Sequence, residues 1–398
     1  MNGDSNPSIN ASDVERYSRQ LLIPQFGPSG QQKLEKSRVL VVGLGGLGCP
    51  AALYLAGAGV GTIGLVDRPN DVVEKSNLHR QLAHSEARIG TNKVASAAIA
   101  IQMLNSNVAI EKHESFEPKN AVQLASSYNL VLDCTDNVAS RYLVSDACAV
   151  TKTPLLSGSA IGTDGQLTFY CKTADSPCYR CIFPKPPPSS CVGSCDSAGV
   201  LGPVPGVIGT LQALEAIKFL SCMNLTEDLD RRMLLFDGST CTFRTVKIRS
   251  RVNGCDMCGE SSQLEIPAFD YEGFARGGKS IDKKALDVPS HCRITPEEFA
   301  EIRRSGSSYK LIDVRPSQEF DMCHLDEAES WPLKSMEQSA GMDRIAEGTG
   351  RLIIVCRRGN ASQTALRHFL DAGRTNVCDV IGGLQAWHQV IDNNFPLY

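Results

Sequence analysis

The stretch SRVLVVGLGGLGCPAALYLAGAGVGTIGLVD, residues 37–67, decides the fold class of this chain. A short apolar run ends in a glycine-rich turn, a helical pattern follows and stops at glycines, and a second apolar run ends at Asp67. Short apolar runs bounded by glycine predict buried strands, and a helix between two of them forms a βαβ unit. We therefore expect an α/β domain with a mostly parallel sheet covered by helices.

The same alternation continues downstream. NLVLDCTD (129–136) predicts a strand, NVASRYLVSDACAVT a helix and TPLLSGSA another strand. The pattern weakens where Gly, Lys, Ser and Asp accumulate, so we assign residues 1–262 to a first domain and 263–292 to a linker. ITPEEFAEIRRSG predicts a helix capped by Thr295, with Pro296 at its first position and Glu298 completing a capping box. The strand patterns KLIDV and RLIIVC follow. They predict a second, smaller α/β domain over 293–398.

Composition excludes several classes of protein. The 398 residues include 40 basic and 44 acidic ones, a net charge of −4, so no basic excess indicates direct nucleic-acid binding. No apolar run reaches the roughly 18 residues that a membrane span requires. The N-terminus shows no apolar signal core or Arg-rich presequence, which makes the cytoplasm the expected location. In a reducing compartment, the 16 cysteines favour metal ligands or reactive thiols over disulfides.

The glycine-rich turn predicts a nucleotide site. Backbone amides of such a turn, at the start of a helix, can face phosphate. Asp67, at the end of the next strand, is placed to hold ribose hydroxyls. These features suit NAD or FAD as well as ATP, and close packing alone also explains such a turn. The glycines concerned are Gly43, Gly45, Gly46 and Gly48.

Polar residues further along the chain favour a triphosphate with magnesium. Cations offset phosphate charge, and a carboxylate at the C-terminal end of a strand can hold the metal. Taken singly, each of these side chains is equally well explained as a solvated polar group. The candidates are Asn77, Arg80, Gln81, Lys93, Asp136 and Asn137.

The cysteines fall into three groups by chemistry. CYRC (Cys178, Cys181) and CDMC (Cys255, Cys258) supply four thiolates for one structural zinc ion, or two unrelated redox or buried pairs. Cys195 lies in a loop of glycine, proline and small residues, where a nucleophile is accessible, and Cys191 is its rival.

The third group is Cys356, within VCRRGNAS (355–362). This cysteine ends an apolar strand and is followed by two arginines and the start of a helix. Loop amides, the helix N-terminus and positive charge stabilise a thiolate or persulfide. An inert, buried cysteine at a strand end is the alternative.

Six motifs in order carry a family resemblance. RYSRQ (16–20), GLGGLGCPAALYLAGAGVG, SNLHRQ, DCTDN, PCYRC and CDMCG resemble the MoeB/ThiF family of ubiquitin-activating-type adenylyltransferases over about residues 10–260. The resemblance implies a Rossmann-like domain that binds ATP and adenylates the C-terminal glycine of a ubiquitin-like protein. It also implies a homodimer in which Arg19 reaches the partner's nucleotide site, and it favours Cys195 over Cys191 as the reactive thiol.

The C-terminal part resembles a single rhodanese domain, on LIDVRPSQEF, IIVCRRGNASQTA and VIGGLQAW. The whole chain thus resembles the eukaryotic adenylyltransferases that are also sulfurtransferases. This likeness implies a carrier ending in Gly-Gly, a cysteine desulfurase or another sulfur donor, and a carrier thiocarboxylate as product. The product would serve tRNA wobble-uridine thiolation, conjugation of the modifier or molybdopterin synthesis.

Two departures from the family pattern stand out. The family usually keeps two carboxylates one residue apart after the second strand, whereas RPN separates Asp67 from Asp71 here. Ala361 stands where relatives often have an acidic residue, which bears on the choice of sulfur donor. Two other functions remain open at this point, an NAD-dependent oxidoreductase with a rhodanese appendage and a non-catalytic zinc and thiol redox scaffold.

Overall fold

The computed structural model describes residues 9–187, 199–223, 229–260, 262, 264–275, 288–336 and 350–398. The chain divides into two compact units, Met1–Ser280 and Ile281–Tyr398. Within the described ranges, no helix combines the length and the apolar character that crossing a membrane requires.

An eight-stranded sheet forms the centre of the first unit, in the order β3-β2-β1-β4-β5-β6-β7-β8. In this order, neighbouring strands pair in parallel from β3 across to β5, and neighbouring strands pair antiparallel from β5 across to β8. The expected βαβ unit is confirmed, whereas the antiparallel half was not predicted. The strands are β1 (Arg38–Val42), β2 (Thr62–Val66), β3 (Ala109–His113), β4 (Leu130–Asp133), β5 (Leu155–Ile161), β6 (Asp164–Tyr170), β7 (Arg232–Asp237) and β8 (Thr242–Lys247).

Helices cover both faces of this sheet. They are α1 (Ala11–Leu21), α2 (Gly27–Glu35), α3 (Gly48–Ala58), α4 (Lys93–Leu104), α5 (Ala121–Ser126), α6 (Val138–Thr151), α7 (Tyr179–Ile182), α8 (Pro203–Leu220) and α9 (Tyr271–Ala275). One apolar core joins the sheet to α3, α4 and α8, and a second joins it to α5 and α6. Helix α3 ends at Gly59, whose φ of 84° suits glycine, as the sequence predicted.

The segment 264–275 differs from its predicted role as part of a linker. Ile266 and Tyr271 are buried in the core beside α6, and Phe269 and Phe274 pack against it. A short 3₁₀ turn and a five-residue helix are too brief to show a hydrophobic period, so the polar composition around them dominated the prediction. The first unit therefore extends beyond residue 262.

The second unit has five parallel strands in the order β11-β10-β12-β13-β9. Thr295 and Glu298 form the predicted capping box at the start of α10. The strands are β9 (Arg293–Ile294), β10 (Tyr309–Asp313), β11 (Ala328–Ser330), β12 (Arg351–Val355) and β13 (Val377–Val380). The helices are α10 (Pro296–Arg304), α11 (Ser317–Met322), α12 (Leu333–Met336), α13 (Ala361–Asp371) and α14 (Gly383–Val390).

Candidate functional site

A pocket opens at the carboxyl ends of β1, β2 and β4, where ligands bind in open α/β sheets. Most of the residues predicted to bind a nucleotide line it. They are Gly43, Gly45, Gly46, Asp67, Arg80, Gln81, Lys93, Asp136 and Asn137.

Gly48 and Asn77 do not line the pocket, but each contacts or makes room for a residue that does. A Cβ on Gly48 would lie 1.9 Å from the carbonyl oxygen of Gly43, so glycine lets the turn fold onto the start of α3. The Asn77 side-chain oxygen accepts a hydrogen bond of 2.7 Å from the Arg80 guanidinium. Both residues shape the pocket indirectly.

The glycine turn needs its first glycine for two reasons. Gly43 has a φ of +94°, and a Cβ there would lie 2.7 Å from the carbonyl oxygen of Cys134. At Gly45, by contrast, the nearest atom to such a Cβ is Gln81 Nε2 at 3.7 Å. The turn is therefore tight against β4 and open towards the pocket.

Asp67 anchors the glycine turn. Its carboxylate accepts hydrogen bonds from the backbone N–H of Leu44 at 2.6 Å and of Arg68 at 2.8 Å. Burial raises the pKa of Asp67, and these two N–H donors act in the opposite direction. The side chain connects the end of β2 to the turn after β1, so both walls of the pocket depend on it.

Charged side chains in the pocket pair with one another. Lys93 Nζ lies 3.0 Å from Asp71, and Arg68 lies 3.5 Å from Asp136 and 3.9 Å from Asp71. The two extra residues between Asp67 and Asp71, relative to the family spacing, thus leave Asp71 in the pocket, against the cation of Lys93. Arg68 was not among the predicted residues, although its place between two carboxylates was visible in the sequence.

A buried network holds the loop that carries Asp136. The Asp133 carboxylate accepts hydrogen bonds from the hydroxyls of Thr135 and Ser157, each at 2.6 Å. Arg141 lies 3.2 Å from Asp133 and donates to the carbonyls of Thr135 and Gly158, both at 3.0 Å. Sequence analysis missed Ser157 and Arg141 because they reach Asp133 from β5 and α6, which are distant from it in the sequence.

Asn137 begins the helix that follows this loop. Its side chain accepts a hydrogen bond of 2.8 Å from the backbone N–H of Ser140 and caps α6. Its predicted contact with a nucleotide is untested, and the cap is an independent reason for asparagine here.

The pocket also offers an unpaired acceptor. Gln81 is 96% buried, and within the described part of the chain its Oε1 atom has no hydrogen-bond partner. An unpaired buried acceptor costs free energy, about 1–3 kcal/mol, unless a ligand or water donates to it. A nucleotide, which carries ribose hydroxyl and adenine amino donors, fits this feature.

Four cysteine sulfurs converge within the second apolar core. Sulfur–sulfur distances are 3.8 Å for Cys178–Cys181, 3.6 Å for Cys178–Cys255 and 3.4 Å for Cys181–Cys258, and all four atoms lie within 4.8 Å of one another. Zinc–sulfur bonds of about 2.3 Å give tetrahedral sulfur separations of roughly 3.8 Å. The cluster therefore fits zinc.

A buried ion pair supports this cluster. Arg180, between two of the cysteines, makes three hydrogen bonds of 2.8–3.0 Å to Asp146 of α6. The Tyr271 hydroxyl donates to the same carboxylate at 2.9 Å, and Phe274 lies against the guanidinium, 4.6 Å away. The cysteine turn, α6 and the segment 264–275 are thereby joined.

The second unit holds the sulfur loop, residues 356–360. Cys356 directly follows β12 and is buried, and its Sγ atom accepts hydrogen bonds from the backbone N–H of Gly359 at 3.2 Å and of Ser362 at 3.3 Å. The Ser362 hydroxyl lies 3.4 Å from Sγ and donates to Asp379 at 3.0 Å. Backbone N–H groups of the loop and of the first turn of α13 therefore contact the sulfur, and Ser362 was not foreseen.

The C-terminal residue lies beside this loop. The Tyr398 ring is 4.6 Å from the Arg357 guanidinium, and the Arg357 side chain donates to the Tyr398 carbonyl. The Tyr398 hydroxyl accepts a hydrogen bond of 2.5 Å from Arg315 and donates one of 2.6 Å to Glu319. Arg357 is thus held at the rim of the loop.

Two predicted residues lie outside these sites. Arg19 is exposed on α1 and does not line the nucleotide pocket formed by the described residues. Cys195, with its rival Cys191, lies outside the described residues.

Comparison with known proteins agrees with this division of the chain. The model of the ThiF family matches residues 17–257, and that of the rhodanese-like domain matches residues 295–390. The adenylyltransferase and sulfurtransferase MOCS3-2 of Zea mays is 45% identical over 403 residues, which covers 98% of this chain and 82% of the relative. The adenylyltransferase and sulfurtransferase MOCS3 of Drosophila sechellia is 46% identical over 404 residues, covering 100% and 87%.

Solved structures share the fold of the first unit. The structure of E. coli MccB with ATP has a TM-score of 0.53 at 21% identity and covers 63% of this chain and 75% of that one. PaaA has a TM-score of 0.52 at 21% identity, covering 63% and 77%. From the two family models and the near full-length relatives, we conclude that this chain belongs to the ThiF family and carries a C-terminal rhodanese-like domain.

Proposed function

We propose that this chain adenylates the C-terminal glycine of a ubiquitin-like sulfur carrier and then converts that carboxyl group into a thiocarboxylate. One observation carries the proposal, the presence in a single chain of a nucleotide pocket with Arg80, Lys93 and Asp136 and of a thiol cradle at Cys356. The names of the relatives, adenylyltransferase and sulfurtransferase, support it.

In the first step ATP binds along the glycine turn. Asp67 orients the ribose through the turn it anchors, and Arg80 and Lys93 offset phosphate charge. Asp136 is the side chain that would hold Mg²⁺, whose charge would stabilise the leaving pyrophosphate. A carboxylate oxygen of the carrier attacks the α-phosphorus, the bond to the β-phosphate breaks, and an acyl-adenylate forms with release of pyrophosphate.

In the second step Cys356 supplies sulfur. A cysteine desulfurase loads it as a persulfide, whose negative charge is stabilised by the N–H groups of Gly359 and Ser362 and by the start of α13. The terminal sulfur attacks the acyl carbonyl, and AMP leaves. The Cys195 thiolate then attacks the Cys356 sulfur of the acyl disulfide, which releases the thiocarboxylate and leaves a Cys195–Cys356 disulfide for a cellular dithiol to reduce.

We further propose a role for the zinc ion, an oligomeric state, a cellular location and a use for the product. Zinc in the four-cysteine cluster is structural, because all four positions of a tetrahedral ion are taken by protein sulfur. We place the enzyme in the cytoplasm as a homodimer, with the exposed Arg19 reaching the partner's nucleotide. The thiocarboxylate serves tRNA wobble-uridine thiolation, conjugation of the modifier or molybdopterin synthesis.

The proposal is tested with the purified chain, candidate carriers ending in Gly-Gly, Mg²⁺ and ATP. Carrier-dependent exchange of pyrophosphate into ATP reports adenylation, and mass spectrometry of the carrier after addition of a desulfurase and cysteine reports the thiocarboxylate. Asp136→Ala should abolish the exchange because it removes a proposed metal ligand. A chain that binds carriers without any exchange would instead be a scaffold, and the proposed function would be wrong.

A further inference from the structure

Arg68 occupies an unusual place among the charged groups of the nucleotide pocket. It lies between Asp67 and Asp71, in the RPN segment that lengthens the loop after β2. Its guanidinium is 3.5 Å from Asp136, the carboxylate that would hold the metal, and 3.9 Å from Asp71. Lys93 also faces Asp71, at 3.0 Å, but no other ion pair to Asp136 occurs within the described residues.

The exposure of these groups decides what the Arg68 pair can do. The side chains of Arg68 and Asp136 are 63% and 56% exposed, whereas that of Lys93 is 7% exposed. Exposed ion pairs are weak because water screens them, and long side chains gain freedom when they separate. Lys93 is therefore a fixed part of the pocket wall, and Arg68 is a cation that can leave.

We infer that Arg68 is a displaceable counter-ion that competes with the divalent cation for Asp136. In the free chain it pairs with Asp136, and it must move away when a divalent cation binds that carboxylate. This inference rests on the proposed adenylation function, and it adds a residue that tunes metal affinity. The physical basis is that two cations cannot occupy the same carboxylate oxygens without strong repulsion.

The test measures metal binding without any turnover. Mn²⁺ is titrated into the nucleotide-free full-length chain and followed by its electron paramagnetic resonance signal, for the unaltered chain and for Arg68→Gln. We expect Arg68→Gln to bind Mn²⁺ about two- to fivefold more tightly, the change that loss of an exposed ion pair allows. Arg68→Lys keeps the charge and should bind like the unaltered chain.

Two controls make the result specific. Arg367→Gln removes an arginine of similar exposure, 45%, that pairs with Asp371 in the second unit, and it should not alter Mn²⁺ binding. In the double variant with Asp136→Asn, the gain from Arg68→Gln should disappear. Circular dichroism confirms that each variant is folded.

The outcomes separate this inference from the proposed function. Equal or weaker Mn²⁺ binding by folded Arg68→Gln, including no binding by either chain, would overturn the counter-ion role. A lack of carrier-dependent pyrophosphate exchange in the unaltered chain would instead overturn adenylation, whatever the Mn²⁺ titration showed.

Discussion

Removal of the Asp146 carboxylate tests the structural core of the first unit most directly. The side chains of Asp146 and Arg180 are 0% and 2% exposed, and the three hydrogen bonds between them are 2.8–3.0 Å long. In Asp146→Ala, the guanidinium stays buried without its counter-charge, and Tyr271 loses its acceptor as well. Breaking one side of a buried ion pair costs about 3–5 kcal/mol.

We therefore expect Asp146→Ala to lower the free energy of unfolding by about 3–5 kcal/mol, measured by urea titration. Zinc should also leave the cysteine cluster faster when a chelator is added, because Arg180 lies between two of the predicted ligands. The change should be much smaller in the double variant Asp146→Leu, Arg180→Met, since a pair of apolar side chains leaves no unpaired charge.

A matched control compares this buried ion pair with an exposed one. Asp371→Ala breaks the pair with Arg367, whose two partners are 55% and 45% exposed. It should cost at most about 1 kcal/mol, because solvent screens an exposed pair. If Asp146→Ala costs no more than this control, the ion pair does not hold the cysteine turn against α6, and the reasoning above is wrong.

Three further predictions concern the proposed chemistry and the pocket. Cys356→Ala should retain carrier-dependent pyrophosphate exchange and lose thiocarboxylate formation, and normal sulfur transfer by this variant would exclude Cys356 as the donor. Metal analysis of the purified chain should find one zinc ion, and replacing Cys255 with serine should reduce that content. Burial lowers the pKa of His84 below its ordinary 6.5, so the folded chain takes up fewer protons than the unfolded one. The contribution of His84 to the free energy of unfolding should therefore be fully present above about pH 6.5 and decrease as the pH falls below that value, as measured by thermal unfolding. If stability falls equally steeply in His84→Gln, the pH dependence belongs to other groups.

Local signals in the sequence were sufficient for much of this protein. The alternation around the glycine turn predicted the βαβ unit, and Thr295 with Glu298 predicted a capped helix that the structure confirms. Each C-x2-C pair was a candidate pair of zinc ligands, and the structure decided that the two pairs form one cluster although 73 residues lie between Cys181 and Cys255. These features depend on hydrophobic period, capping and ligand chemistry, each of which is written in a few neighbouring residues.

Other features depend on residues distant in sequence, and only the tertiary structure decided them. Asp146 meets Arg180 because α6 packs beside the cysteine turn, and Tyr271 joins them from a segment whose composition resembled a linker. Arg68 faces Asp136 because β2 and β4 both end at the same edge of the sheet, on either side of β1. The residue types were visible in the sequence. Their pairing was not, because charge and burial act through space and a single chain carries no local pattern for contacts between distant elements.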